Sequence, residues 1–264
     1  MLAEDKNIEF QAQKINFSFE GKKYLAFEGD TVSSALIRNG IKNFREDKSK
    51  NYRGVYCNMG ICNECIVEIN GYQSVKACTK KISNNDKIIR QKYNINLPLI
   101  KKDIQLQKKI INFDLLIIGA GPGGIGVSLG LKNSNKKIAL IDEKESIGGQ
   151  YYKKLSKIFK IKSYKKLDSQ IKEGIKFEDK VLNSNIDLFL GYKIWGVYKN
   201  TNLTYEICCS KDDIDLRIIC KKLIVASGSY EKPFFAEGWH LPNVLTTGGT
   251  QILVKSQKII PGKK

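Results

Sequence analysis

Ile15-Asn16-Phe17-Ser18-Phe19 alternates apolar and polar positions with the period of a half-buried strand. Glu20-Gly21-Lys22-Lys23 supplies a turn, and Tyr24-Leu25-Ala26-Phe27 returns as the second strand of a hairpin. The period then changes. Val32, Leu36 and Ile37 share one face of a helix over Thr31 to Arg38, capped by Asp30 or Thr31 and stopped by Asn39-Gly40, where glycine tolerates the left-handed conformation. Further on, Ile66-Val67-Glu68-Ile69, the type I′ turn signal Asn70-Gly71 and Ser74-Val75-Lys76-Ala77-Cys78 predict another hairpin. Two hairpins around one helix make an α+β unit over residues 15–92, preceded by a polar tail over 1–14.

Residues 93–111 carry mixed charge without a clear period and are expected to form a linker with a short helical stretch. From Phe113 the pattern shifts again, and 112–264 is expected to be a second domain. Asp114-Leu115-Leu116-Ile117-Ile118 is a continuous apolar run, the mark of a parallel strand buried on both faces. A helix over Ile125 to Leu131 and a strand over Ile138 to Ile141 follow, which gives α/β order. The most apolar run, Leu115 to Leu131, is broken by glycines and a proline, so it suits strand-turn-helix rather than a membrane span.

Composition changes this picture little. Of the 264 residues, 42% are hydrophobic and 27% charged, which excludes a disordered or fibrous chain. A formal charge of +18 raises the question of nucleic acid, but the lysines are spread along the whole chain and no nucleic-acid-binding motif accompanies them. No nucleic-acid partner is expected; a basic patch, if used, would meet an acidic protein. The N-terminus lacks the apolar segment of a secretory signal, and a reducing compartment, the cytoplasm, is the expected location.

The chemistry begins at Cys57, Cys62, Cys65 and Cys78. Their spacing, C-x4-C-x2-C and a distant fourth cysteine, is the ligand pattern of a plant-type 2Fe–2S cluster. Gly54 and Gly60 would let the loop curl around the cluster, with Asn58, Asn63 and Glu64 solvated on its rim. In this setting the two hairpins and helix read as a β-grasp, ferredoxin-like domain. Structural zinc is the competing reading, but it usually takes two separated C-x2-C pairs, and His240 is the sole histidine. Unligated cysteines are the third reading. Cys208, Cys209 and Cys220 lack such spacing and are expected to be buried and inert.

The second domain carries Gly119-x-Gly121-x-x-Gly124 between its first strand and first helix, a Rossmann-like dinucleotide fingerprint. Gly119 would make the tight turn, Gly121 would admit the pyrophosphate and Gly124 would let helix and strand pack. The helix N-terminus would stabilise the phosphate charge. An acid about 20 residues on should bind ribose hydroxyls; Asp142 is the first candidate and Glu143 the second.

Together these segments resemble the flavoprotein subunits of sarcosine oxidase (alpha subunit), opine oxidase and hydrogen cyanide synthase, with an iron-sulfur domain fused at the N-terminus. The resemblance covers residues 15–264. It rests on Gly29-Asp30-Thr31-Val32-Ser33-Ser34-Ala35-Leu36, Arg53 to Gly60, the glycine fingerprint, Gly148-Gly149-Gln150, Val225-Ala226-Ser227-Gly228, and Gly238-Trp239 through Gly248-Gly249. It implies that the dinucleotide is FAD, with Gly149, Gln150, Ala226 and Gly228 near it. It further implies a small β-meander over Ile186 to Ile224, with strands at Asp187 to Leu190, Ile194 to Val197 and Thr204 to Ile207, whose backbone near Ile194 contacts adenine. Sarcosine oxidase alpha subunits usually lack the four cysteines, so this chain stands nearer the dehydrogenases that keep them. No cysteine pair follows Gly149-Gln150, which speaks against a dithiol relay.

The resemblance implies an FAD-dependent oxidoreductase component passing electrons between an amine or amino-acid substrate, FAD and the cluster, with partner oxidoreductase subunits. Related flavoproteins continue beyond the point where this chain stops, so a truncated member, or one completed by another chain, is expected. Two alternatives stay open: an NAD(P)H-dependent reductase running electrons the other way, and a non-catalytic electron-transfer subunit. No catalytic residue can be named; a lone His240 more often packs than catalyses.

Overall fold

The computed structural model describes residues 6–93 and 106–262, and these divide between two compact units. One unit comprises Met1–Leu99, Leu155–Leu167 and Tyr230–Lys264; the other comprises Ile100–Lys154 and Asp168–Ser229. The division does not follow the contiguous boundaries expected from sequence, because backbone pairing in the first unit is non-local. Ile8–Phe10 pairs antiparallel with Phe159–Ile161, and Arg38 donates to the carbonyl of Gln257 at 2.8 Å.

In the first unit, β1 (Lys14–Phe19) and β2 (Lys22–Phe27) form the expected hairpin, turning at Glu20 and Gly21, both with positive φ. Helix α1 (Val32–Arg38) starts at Thr31, whose hydroxyl accepts from Ser34 N at 3.1 Å, and buries Val32, Ala35 and Leu36 completely. The second hairpin, β3 (Ile66–Ile69) and β4 (Tyr72–Lys76), turns at Asn70-Gly71 as its sequence demands. Its second strand is shifted from the expected one, and Cys78 lies beyond the strand end.

A fifth strand, β5 (Asp86–Arg90), went unread in the sequence because only Ile88 and Ile89 mark it between charged neighbours. It sits at the centre, in the order β2-β1-β5-β3-β4, parallel to β1. Phe17, Phe19, Leu36, Phe44, Val67, Ile69 and Ile88 close the core beneath it. Each such side chain contributes about 1.5–3 kcal/mol by leaving water. Asp30 is buried there too, receiving Ser34 Oγ at 2.8 Å and facing Arg38; burial raises its pKa against the opposing pull of the guanidinium.

In the second unit, β6 (Gln107–Ile118), α2 (Pro122–Gly130), β7 (Ile138–Asp142) and α3 (Ser169–Leu182) precede β8 (Asp187–Leu190), β9 (Lys193–Lys199), β10 (Tyr205–Lys211) and β11 (Ile214–Val225). The strands make one six-stranded sheet, ordered β8-β7-β6-β11-β10-β9. Leu116, Ala139 and Ile141 enter the core with Ile207, Leu216 and Ile218, while Ile117, Ile138 and Leu140 enter the one with Ile125 and Val181. Burial on both faces is why these strands read as unbroken apolar runs.

Two expectations need correction. Residues 107–111 are not linker: Gln107 to Ile111 pairs with Ile214 to Ile218, because strand pairing outweighs their polar sequence. The rest of the expected linker, with its helical stretch, falls mainly outside the described residues. Asp187–Leu190 is not a meander strand but a parallel partner of β7 at the sheet edge. The meander is β9-β10-β11, and β11 joins it to the main sheet by pairing parallel with β6 along its length.

Candidate functional site

The cysteine loop lies between Arg53 and β3, with Cys78 two residues past β4. Cys57, Cys65 and Cys78 are buried, and Cys62 is half-buried. Positive φ at Asn58, Gly60 and Asn63 curls the chain. Gly54 is needed for space, since a Cβ there would overlap the carbonyl of Lys42. The expected polar rim holds only at Asn63. Asn58 is buried and accepts from Ser33 Oγ at 3.3 Å, while Glu64 is buried against Arg45 at 2.8 Å.

The four thiols are free and stand as two neighbouring pairs, Cys57 with Cys62 and Cys65 with Cys78, within electrostatic reach of one another. The Cys62 thiol, chiefly, brings Cys57 down to about 5, and Cys62 is pushed up in return. Cys65 is lowered and Cys78 raised for the same reason. The backbone N–H groups of Met59 and Glu64 point at the sulfurs of Cys57 and Cys62, at 3.4 and 3.5 Å. Among the described residues no group of three His, Cys, Asp or Glu side chains could hold a single metal ion. Two thiol pairs with N–H donors fit a cluster of two irons, each taking two thiolates.

In the second unit two of the fingerprint glycines, Gly119 and Gly124, answer a steric need. Gly119 has φ of 103° and no room for a Cβ against the Ala226 carbonyl; a Cβ on Gly124 would overlap the Gly119 carbonyl. Gly121 caps α2, and Gly149 approaches it so closely that a Cβ on Gly149 would lie 2.7 Å from the Gly121 Cα. Asp142, at the end of β7, accepts from Ala120 N and Lys144 N, both at 2.7 Å. One carboxylate thus ties the glycine loop to the turn after β7.

Glu143 is exposed and lies within electrostatic reach of Lys144. Ala226 packs at the end of β11 beside Gly119 and Gly123, Gly228 is exposed with φ of 67°, and Gln150 is half-buried directly after Gly149. Ile194 lies apart, in β9 at the far edge of the sheet. The corner three residues before it is the part that reaches Asp142: Gly191 N and Tyr192 N donate to the Asp142 carbonyl at 2.9 and 3.1 Å. Lys144 was not foreseen. Its ammonium is lowered by desolvation and lies 3.4 Å from the Gly149 carbonyl, and only its position two residues past the acid could have drawn attention to it.

Residues 113–259 match the family described as pyridine nucleotide-disulphide oxidoreductase, more than half of the chain. The chain belongs to that family. Residues 12–93 match a 2Fe-2S iron-sulfur cluster binding domain. An opine oxidase subunit from Rhizobium meliloti (strain 1021) is 31% identical over 151 residues, 57% of this chain and 32% of that protein. Hydrogen cyanide synthase subunit HcnA of Pseudomonas protegens is 30% identical over 77 residues, 28% of this chain and 73% of that protein. The crystal structure of L-proline dehydrogenase from P. horikoshii superposes with a TM-score of 0.80 at 24% identity, covering 99% of this chain and 49% of that one, which shows the fold.

The chain therefore spans about a third of the opine oxidase subunits it matches. It is an oxidoreductase-family chain with a 2Fe–2S domain and a Rossmann-like FAD-binding domain. No helix among the described residues is long and apolar enough to cross a membrane.

Proposed function

We propose that this chain is the cofactor-bearing part of an FAD-dependent amine or amino-acid dehydrogenase or oxidase that works with partner oxidoreductase subunits. The observation that carries the reading is the presence, on one chain, of two thiol pairs in the cysteine loop and a glycine loop clamped by Asp142. Bound FAD supplies acceptance of two electrons from substrate and their release one at a time, which is the load a 2Fe–2S cluster carries.

The chain's own residues bind and position. Cys57, Cys62, Cys65 and Cys78 hold the irons as thiolates, and the N–H groups of Met59 and Glu64 stabilise the sulfur charge. The N-terminus of α2, with Gly119, Gly121 and Gly124, receives the pyrophosphate, and Gly149 keeps that approach open. Asp142 holds the loop and offers its remaining lone pairs to ribose hydroxyls, with Glu143 as the second candidate. Gln150, Ala226 and Gly228 border the same site, and the Gly191-Tyr192 corner just before the meander, rather than Ile194 itself, lies next to the acid. Four reduced thiols suit a reducing compartment, and we place the protein in the cytoplasm.

The relatives support the substrate class: one belongs to an opine oxidase, and the fold neighbour is an L-proline dehydrogenase. Both curated relatives are named as subunits, which supports partner chains. The test is anaerobic purification, flavin extraction, iron and sulfide assay, and EPR after reduction, followed by a screen of opines, proline and simple amines with an artificial acceptor. About two irons and one FAD per chain are expected. Bound zinc without iron would sink the cluster reading, and rapid flavin bleaching by NADH would favour a pyridine-nucleotide reductase instead.

A further inference from the structure

The cysteine loop does not end its contacts within residues 12–93. Tyr56, the residue before Cys57, is buried and held at both ends by the stretch after Tyr230, which belongs to the same compact unit. Its hydroxyl donates to the Phe234 carbonyl at 2.6 Å and accepts from Phe234 N at 3.2 Å. Its own carbonyl accepts from Thr246 N at 3.1 Å. The ring stands edge-on to Trp239 at 5.2 Å, and the Arg53 guanidinium lies over the Trp239 ring at 5.7 Å.

Gly248 and Gly249 complete the contact, in helix α4 (Thr247–Gln251). Neither has a positive φ, so neither needs to be glycine for its backbone. At Gly249 the need is for space against backbone, whereas at Gly248 a Cβ would meet only the movable ends of Met59 and Glu231. A Cβ on Gly249 would lie 2.6 Å from the Tyr56 carbonyl oxygen and 3.0 Å from that of Cys57; one on Gly248 would overlap the Met59 side chain. Gly248 N donates to Glu231 at 2.9 Å, which keeps this backbone in place.

We propose that Tyr56 and Gly249 are positioning residues for Cys57, and that the stretch from Tyr230 to Ser256 forms the outer wall of the cluster loop. The inference rests on the reading of Cys57 as a cluster ligand. Groups behind a ligand set its orientation and the water around it, and both tune cluster assembly and potential. In this chain the wall comes from some 180 residues downstream of the loop, as the spacing between Tyr56 and Phe234 shows. Where the wall is pushed away and water reaches Cys57, the more negatively charged reduced cluster is better solvated, so the potential moves upward.

The full chain is purified anaerobically as wild type, Tyr56→Phe, Gly249→Ala and Gly126→Ala, the last a helix position with nothing near its absent Cβ. Iron and sulfide content, the EPR spectrum of the reduced cluster and the midpoint potential from dye-mediated titration are compared. Gly249→Ala is expected to weaken iron retention against a chelator about 10-fold and to raise the potential. Tyr56→Phe keeps the ring and is expected to keep its iron while shifting the EPR g values and the potential; Gly126→Ala should match wild type. Wild-type spectra and potentials in both loop variants would overturn the proposal. If Gly249→Ala fails to fold by circular dichroism, Tyr56→Phe decides alone. A wild-type chain with neither iron nor signal would overturn the cluster reading itself, a different result from unchanged variants.

Discussion

Replacing Asp142 with asparagine tests whether one carboxylate builds the dinucleotide site. Its two oxygens accept from Ala120 N and Lys144 N at 2.7 Å, short bonds assisted by the negative charge. An amide has a single carbonyl oxygen, so whichever backbone N–H it serves, the other faces an NH2 group. The retained bond loses about 1 kcal/mol of charge assistance, and the unserved donor costs about 1–3 kcal/mol, a loss of about 2–4 kcal/mol in all. For a unit of this size that lowers Tm by about 8–15 °C. Flavin affinity should fall by more than about 10-fold, since each tenfold corresponds to 1.4 kcal/mol and the ribose contact weakens with the loop. Thermal melting followed by circular dichroism and fluorescence titration of the apoprotein with FAD measure the two effects. Glu143→Gln, at an exposed position, should change stability by no more than about 0.5 kcal/mol. Asp142→Asn melting within about 2 °C of wild type with unchanged FAD affinity, or a larger loss in Glu143→Gln, would refute the reasoning.

Gly124→Ala should lose FAD and yield apoprotein after purification, because the new methyl overlaps the Gly119 carbonyl and must push α2 off β6; retained flavin would show that the helix can shift freely. Thr31→Ala removes the acceptor for Ser34 N and should cost about 1 kcal/mol in urea unfolding. In iron-free native protein near pH ~8, iodoacetamide should leave Cys209 and Cys220 unmodified, since burial pushes their thiols up to about 12 and about 11; peptide mapping after alkylation shows which thiols react, and early labelling of either would refute it. Asp114 is held below the usual carboxylate range chiefly by its hydrogen bond from Lys221. The stability it contributes is therefore present above its unfolded pKa and lost as pH falls through its lower folded value. Lys221→Met should move its NMR titration midpoint upward towards about 3.9, while an unmoved midpoint would assign the shift to the Lys137 backbone.

Much of this protein was legible before folding because its strongest signals are local. The C-x4-C-x2-C spacing, the Asn70-Gly71 turn, the Thr31 cap and the run Asp114 to Ile118 each act through neighbours in the chain. The glycine fingerprint and the acid after β7 belong to the same class, a strand-turn-helix-strand within some thirty residues. What escaped was non-local. The strand β5 is centred in its sheet only because β1 and β3 flank it, and Gln107 to Ile111 becomes strand only because β11 pairs with it.

The sequence by itself determined the residue types and their short spacings: four cysteines as C-x4-C-x2-C with a distant fourth, a glycine-rich turn between strand and helix, and an acid at the end of the next strand. Only the tertiary structure decided how the cysteines divide into pairs, that Asp142 is an anchor for two loops while Glu143 faces solvent, and that Tyr56 is held by Phe234, Thr246 and Gly249. The physical reason is the same in each case. Hydrogen bonds and steric exclusion act over a few ångströms in space, and no spacing rule reports a neighbour that lies some 180 residues away along the chain.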